Sequence, residues 1–109
     1  MRKTLLTLGI AAFSLFGYSQ TVSVIWTEQT TPITEGLYDI DFVDENTGYA
    51  VGYLGKILKT TDGGDNWVEQ TSGTTNTILS VQFIDANTGW ALCFGDGEVL
   101  RTTDGGVLE

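Results

Sequence analysis

The sequence predicts an all-β fold: a partial β-propeller of about two four-stranded antiparallel blades behind a cleaved signal peptide. Three observations carry this. The chain repeats itself: Trp26 and Trp67, Phe42 and Phe83, Asp44 and Asp85, and Gly48 and Gly89 stand 41 apart, while Thr60 and Thr102, and Asp62 and Asp104, stand 42 apart. Each period holds four short runs of strand formers separated by Gly, Asn and Asp, which is the layout of a propeller blade. Beyond residue 19 no segment carries an apolar pattern of helical period and length, so helical repeats of similar size are excluded.

The leader comes first. Arg2 and Lys3 make a basic start, and Leu5 to Gly17 is an apolar run too short to span a bilayer. Gly17-Tyr18-Ser19 then puts small residues three and one before a cut between Ser19 and Gln20, the pattern of a secretory signal peptide. The domain reading is therefore a signal peptide over 1–19 and propeller repeats over 20–109. The mature protein is expected outside the cytoplasm of a bacterium, secreted, periplasmic or at the cell surface, and not inserted in the membrane. No cysteine lies near the cut, which argues against a lipid anchor.

Residues 22–30, around Trp26, align with the last strand of a blade, strand D. A full blade is expected over 37–71. Its strand A is Leu37–Val43, where Ile40 and Phe42 alternate with Asp39 and Asp41. A tight turn follows at Asp44-Glu45-Asn46-Thr47-Gly48. Strand B, Tyr49–Tyr53, alternates large and small residues, which suits a strand packed between two sheets. Strand C is Lys56–Thr61, and strand D begins at Trp67. The second, incomplete blade over 78–106 repeats strand A as Ile78–Ile84, strand B as Trp90–Phe94 and strand C as Glu98–Thr103. The one extra residue falls in a turn, where Tyr53-Leu54-Gly55-Lys56 becomes Phe94-Gly95-Asp96-Gly97-Glu98; a hairpin connection tolerates such a change.

Between strands C and D stands Thr60-Thr61-Asp62-Gly63-Gly64-Asp65-Asn66-Trp67, returning as Thr102-Thr103-Asp104-Gly105-Gly106. Asp-Gly-Gly between two strand-forming runs is a hairpin signal, because glycine takes positive φ without a steric penalty. The Asp62 carboxylate can accept hydrogen bonds from backbone N–H groups of its own turn. Trp67 can fold its ring back over that turn. A self-satisfied structural turn is the reading adopted, with a ligand or calcium loop as its alternative. The pattern resembles the Asp-box, or BNR repeat, of sialidases, sortilin-type receptors and the photosystem II stability/assembly factor family. That resemblance implies that Thr60, Asp62, Gly64 and Trp67, with Thr102, Asp104 and Gly106, are structural and lie away from the binding face. The longer pattern Phe-x-Asp-x-Asn-Thr-Gly-aromatic-Ala, followed by Thr-Thr-Asp-Gly-Gly, resembles repeats of the photosystem II stability/assembly factor family over nearly all of 26–106. The resemblance implies a propeller acting as an assembly scaffold. The basic, Arg-bearing client patch of photosynthetic members has no counterpart here.

Composition narrows the function. After cleavage Lys56, Lys59 and Arg101 stand against 14 acids, a net charge of −11. Such a chain repels nucleic acid and anionic membranes. There is no histidine, the commonest general base and metal ligand. Asp44-x-Asn46-x-Gly48 resembles the start of a calcium loop but lacks the further acidic ligand such a loop needs. Cys93 is the single cysteine, so it has no disulfide partner within the chain, and its alignment with Gly52 predicts a buried, inert thiol. Catalytic, cofactor-binding and metal-binding residues are therefore none. The expected function is an exported, non-catalytic binding or assembly scaffold whose partner is a protein or a surface glycan. Its alternatives are a piece of a sialidase-type glycoside hydrolase, for which Arg101 is the one available arginine, or of a cell-surface adhesin. Two blades leave sheet faces uncovered, so the missing blades are expected from the rest of a longer chain or, alternatively, from further copies.

Overall fold

A computed structural model describes residues 25–106. The expected signal peptide and the end of the chain lie outside the described residues. The chain divides after Thr30. On the near side of that division, Ile25–Thr30 have no regular secondary structure and Trp26 is exposed. The strand expected over 22–30 is thus not formed across its described part. A strand exists through its ladder of hydrogen bonds, and neither described sheet includes these residues.

Beyond Thr30 the chain is all β. Strands β1 (Leu37–Phe42), β2 (Gly48–Gly52), β3 (Ile57–Thr60) and β4 (Val68–Gln70) form one four-stranded antiparallel sheet in chain order, the first blade. Strands β5 (Ile78–Phe83), β6 (Gly89–Cys93) and β7 (Val99–Thr102) form a three-stranded antiparallel sheet, the second blade. The fold is a partial β-propeller, with each strand within a residue or two of its expected position.

The two sheets share one register. Phe42 pairs with Gly48 and Phe83 with Gly89. A bulge opens at the same place in both, between Leu37 and Asp39 and between Ile78 and Ser80. The glycine opposite each phenylalanine is required by close approach: a Cβ on Gly48 or Gly89 would lie 2.6 Å from the facing ring. Each ring therefore covers a bare stretch of neighbouring backbone, which Ala in place of Gly would displace.

The core forms where the blades meet. Tyr49 and Val51 of β2 pack with Ile78 and Val81 of β5 and Ala91 and Cys93 of β6, flanked by Ile57, Phe83 and Leu100. Such a seam fixes the facing ends of the two sheets relative to one another.

Candidate functional site

The first Thr-x-Asp-x-Gly turn is built from Thr60, at the end of β3. Its backbone carries the side chain inward, where it is buried. The Thr60 hydroxyl donates to Asp62 Oδ1 (2.8 Å) and accepts the N–H of Gly64 (2.8 Å). Asp62 Oδ1 also accepts the Asn66 N–H, and Asp62 Oδ2 accepts the Asn66 amide, both at 2.8 Å. Gly63 and Gly64 close the turn at φ 71° and 96°, values that side-chain-bearing residues rarely adopt. The Asn66 side chain, then its backbone N–H, then the Thr60 hydroxyl hold the Asp62 carboxyl down at about 2. A carboxylate bonded on both oxygens has little left for a ligand.

The second turn repeats the arrangement. Thr102 donates to Asp104 Oδ1 (2.9 Å) and accepts the Gly106 N–H (2.8 Å). The structure thus joins Thr60, Asp62 and Gly64 in one turn and Thr102, Asp104 and Gly106 in another. The half-buried Trp67 ring meets Phe42 edge-on, with centroids 6.1 Å apart.

Each turn leans on the A–B turn of its own blade. Gly63 N–H donates to the Asn46 carbonyl and Gly105 N–H to the Asn87 carbonyl, both at 2.8 Å. Asp44 Oδ1 accepts the N–H groups of Asn46 and Thr47 at 2.8 and 2.7 Å, and Asp85 Oδ1 those of Asn87 and Thr88 at 2.8 Å. The Asn87 N–H, then that of Thr88, hold the Asp85 carboxyl below its ordinary value. These aspartates are occupied as turn caps. Among the described residues no group of three or more acidic, His or Cys side chains is placed to hold a metal ion.

What sequence reading missed lies at the seam. Asp39 Oδ2 accepts the N–H of Val81 (2.9 Å) and Asp41 Oδ2 that of Phe83 (2.7 Å). Two carboxylates of the first blade thereby satisfy backbone donors on β5 of the second. Tyr49 stacks on Phe83 at 3.8 Å between centroids, with planes 7° apart. Its hydroxyl donates to the Gly105 carbonyl (2.9 Å), as does Lys59 Nζ (3.1 Å), which also lies over the Tyr49 ring. One signal was available: Asp39 and Asp41 point to the same side of β1 with no base near them in sequence.

A cleft of 210 Å³ opens along this seam, lined by Tyr49, Phe83, Trp90, Leu100, Arg101 and Asp104 among others. Arg101 lies over the exposed Trp90 ring, 5.9 Å from its centre. An apolar wall with one arginine and a few hydroxyls suits non-covalent recognition. Cys93, at the end of β6, is buried in the seam between the blades; burial, and then Glu98, push its thiol up and away from thiolate.

A family model described as photosynthesis system II assembly factor YCF48 matches residues 18–107. The chain belongs to that family. Among solved structures it is similar to YCF48 bound to D1 peptide, at 32% identity and a TM-score of 0.63 over 72% of this chain and 26% of that one. It is also similar to YCF48 from Cyanidioschyzon merolae, at 28% identity and a TM-score of 0.66 over 79% of this chain and 31% of that one. The chain thus spans about a quarter to a third of the length of these YCF48 structures. No curated protein matches it.

Proposed function

We propose that the chain is part of an exported, non-catalytic β-propeller that binds a protein partner and acts as an assembly scaffold. The observation that carries the reading is membership of the YCF48 family, in which a solved relative holds a peptide. The seam cleft, whose lining includes Trp90 and Arg101, is the surface assigned to recognition. The Thr60–Asp62–Gly64 and Thr102–Asp104–Gly106 turns are assigned a structural role as Asp-boxes, because their polar groups are engaged within the turn. A net charge of −11 after residue 19 favours a neutral or basic protein surface as client and disfavours nucleic acid. The leader over 1–19 assigns the site of action to the outside of the cytoplasm.

A photo-crosslinking residue at Arg101, introduced in the producing bacterium, tests the binding surface. Protein adducts at 101, with none from the same residue at Asp65, are expected. Adducts from Asp65 alone, or capture of glycan in place of protein, would overturn it. N-terminal sequencing of the exported protein should begin at Gln20; Met1 on exported material contradicts the leader reading.

A further inference from the structure

The dipeptide Asp-Gly occurs three times, as Asp62-Gly63, Asp96-Gly97 and Asp104-Gly105. In this sequence a side-chain carboxyl readily meets the next backbone nitrogen, because glycine puts no Cβ in the way. The three glycines share one backbone conformation, with φ of 71°, 72° and 72°. What differs is how the two reacting groups are held.

In the first pair both are engaged. Asp62 is bonded on both oxygens, and Gly63 N–H donates to the Asn46 carbonyl (2.8 Å) in another turn. The same bonds hold the Asp62 carboxyl down at about 2 and so keep it ionised, and an ionised carboxylate is a poor target for a nucleophile. The third pair is tied alike. Asp104 Oδ1 accepts the Thr102 hydroxyl (2.9 Å) and the Gly106 N–H (3.2 Å), while the buried Gly105 donates its N–H to the Asn87 carbonyl (2.8 Å). Asp96 and Gly97 lie instead at the tip of the β6–β7 hairpin, and both are exposed. The Gly97 N–H reaches only back to the Gly95 carbonyl, a contact that joins the tip to no other turn. A Cβ on Gly95 or Gly97 would meet nothing within 4 Å. Such exposed, sparsely contacted segments open most readily.

We propose that Asp96-Gly97 is a site of spontaneous backbone rearrangement, giving isoaspartate at position 96. The Gly97 nitrogen attacks Cγ of the neutral Asp96 carboxyl. A C–N bond forms, the nitrogen gives up its proton, and the carboxyl hydroxyl leaves with it as water. Water then opens the resulting succinimide. Attack at Cγ restores aspartate; attack at the former main-chain carbonyl leaves the chain running through Cβ and Cγ. The water lost is regained, and no oxidant or cofactor enters. The product carries one more methylene in its main chain, close to Glu98. Glu98 Oε1 accepts the Thr74 hydroxyl (2.9 Å) and the Asn76 amide (3.0 Å). The rearrangement thus falls on the turn that anchors the segment between the blades.

The test uses the protein purified from the producing bacterium and incubated folded in slightly acidic buffer. Electron-transfer fragmentation of its peptides locates isoaspartate, because it cleaves the Cα–Cβ bond that isoaspartate alone has in the main chain. Isoaspartate should build up steadily at 96 and stay at its starting level at 62 and 104. In urea, where the turns are gone, it should build up at all three. Asp96→Glu keeps the charge at an exposed position and needs a larger imide ring to react. Its folded form should keep the wild-type circular dichroism and show no build-up at 96. No isoaspartate at 96 in the folded protein, equal build-up at 62 or 104, or a signal that survives Asp96→Glu would each overturn the proposal.

Discussion

At the same position of the repeat, Tyr49 in the first blade is 1% exposed and Trp90 in the second is 36% exposed. Their strands match in length, register and bulge, and their turns match bond for bond at the Asp44 and Asp85 caps. Burial follows the neighbour. Tyr49 and Val51 of β2 are buried because the second blade packs on them, whereas their counterparts Trp90 and Leu92 on β6 are exposed. On β1 and β5 the contrast runs the other way, with Ile40 exposed and Val81 buried. A blade's secondary structure is thus set within its own repeat, and its core is completed by the adjoining one.

The largest expected effect breaks this contrast at the aromatic position. Tyr49→Ala should destabilise the protein by about 3–5 kcal/mol, the usual range for truncating a large buried aromatic. Trp90→Ala should cost less than about 1 kcal/mol, because much of that ring is already in water. Urea melts of the two variants decide it; equal losses would mean that the seam gives Tyr49 no special role. Next come the glycines under the phenylalanine rings. Gly48→Ala and Gly89→Ala should each cost about 1–3 kcal/mol by pushing the ring away. The Gly89 change should also weaken the Tyr49–Phe83 stack, and near-ultraviolet circular dichroism should register that loss for Gly89→Ala more than for Gly48→Ala.

The smallest effect is local and concerns pH. Asp62 titrates in the folded turn at about 2, below its ordinary 3.8, so its contribution is fully present above 3.8 and is lost as pH falls toward 2. The Asn66 backbone amide resonance should report a midpoint near that low value. Asn66→Ala removes the leading donor and should raise the midpoint toward 3.8. A wild-type midpoint already at 3.8 would show that the turn does not hold the carboxylate.

The strands and turns were legible in the sequence because their signals are local. Asp-Gly-Gly, Asp-x-Asn-Thr-Gly and the alternation in Tyr49–Gly52 each fix a few consecutive residues. The part played by Asp39 and Asp41 was not legible. Alternation with Ile40 and Phe42 reads as polar outside and apolar inside, as on a sheet with one wet face. In a propeller both faces of an inner blade meet protein, so the acids turn toward β5 and are half-buried, while the uncovered Ile40 is exposed. The described part of the expected strand 22–30, Ile25–Thr30, has no regular secondary structure. Its repeat match to β4 is real, but β4 is a strand because β3 lies beside it, and Ile25–Thr30 belong to neither described sheet.

Amide hydrogen exchange on the Asp39→Ala/Asp41→Ala double variant tests most directly whether one blade completes the next. In the wild-type protein the Val81 and Phe83 amides should be protected, since carboxylates of the first blade accept them. In the double variant their protection should collapse, while amides that pair β6 with β7 inside the second blade keep theirs. Unchanged protection at Val81 and Phe83 would contradict the account, because the two blades would then stand without the bonds assigned to their seam.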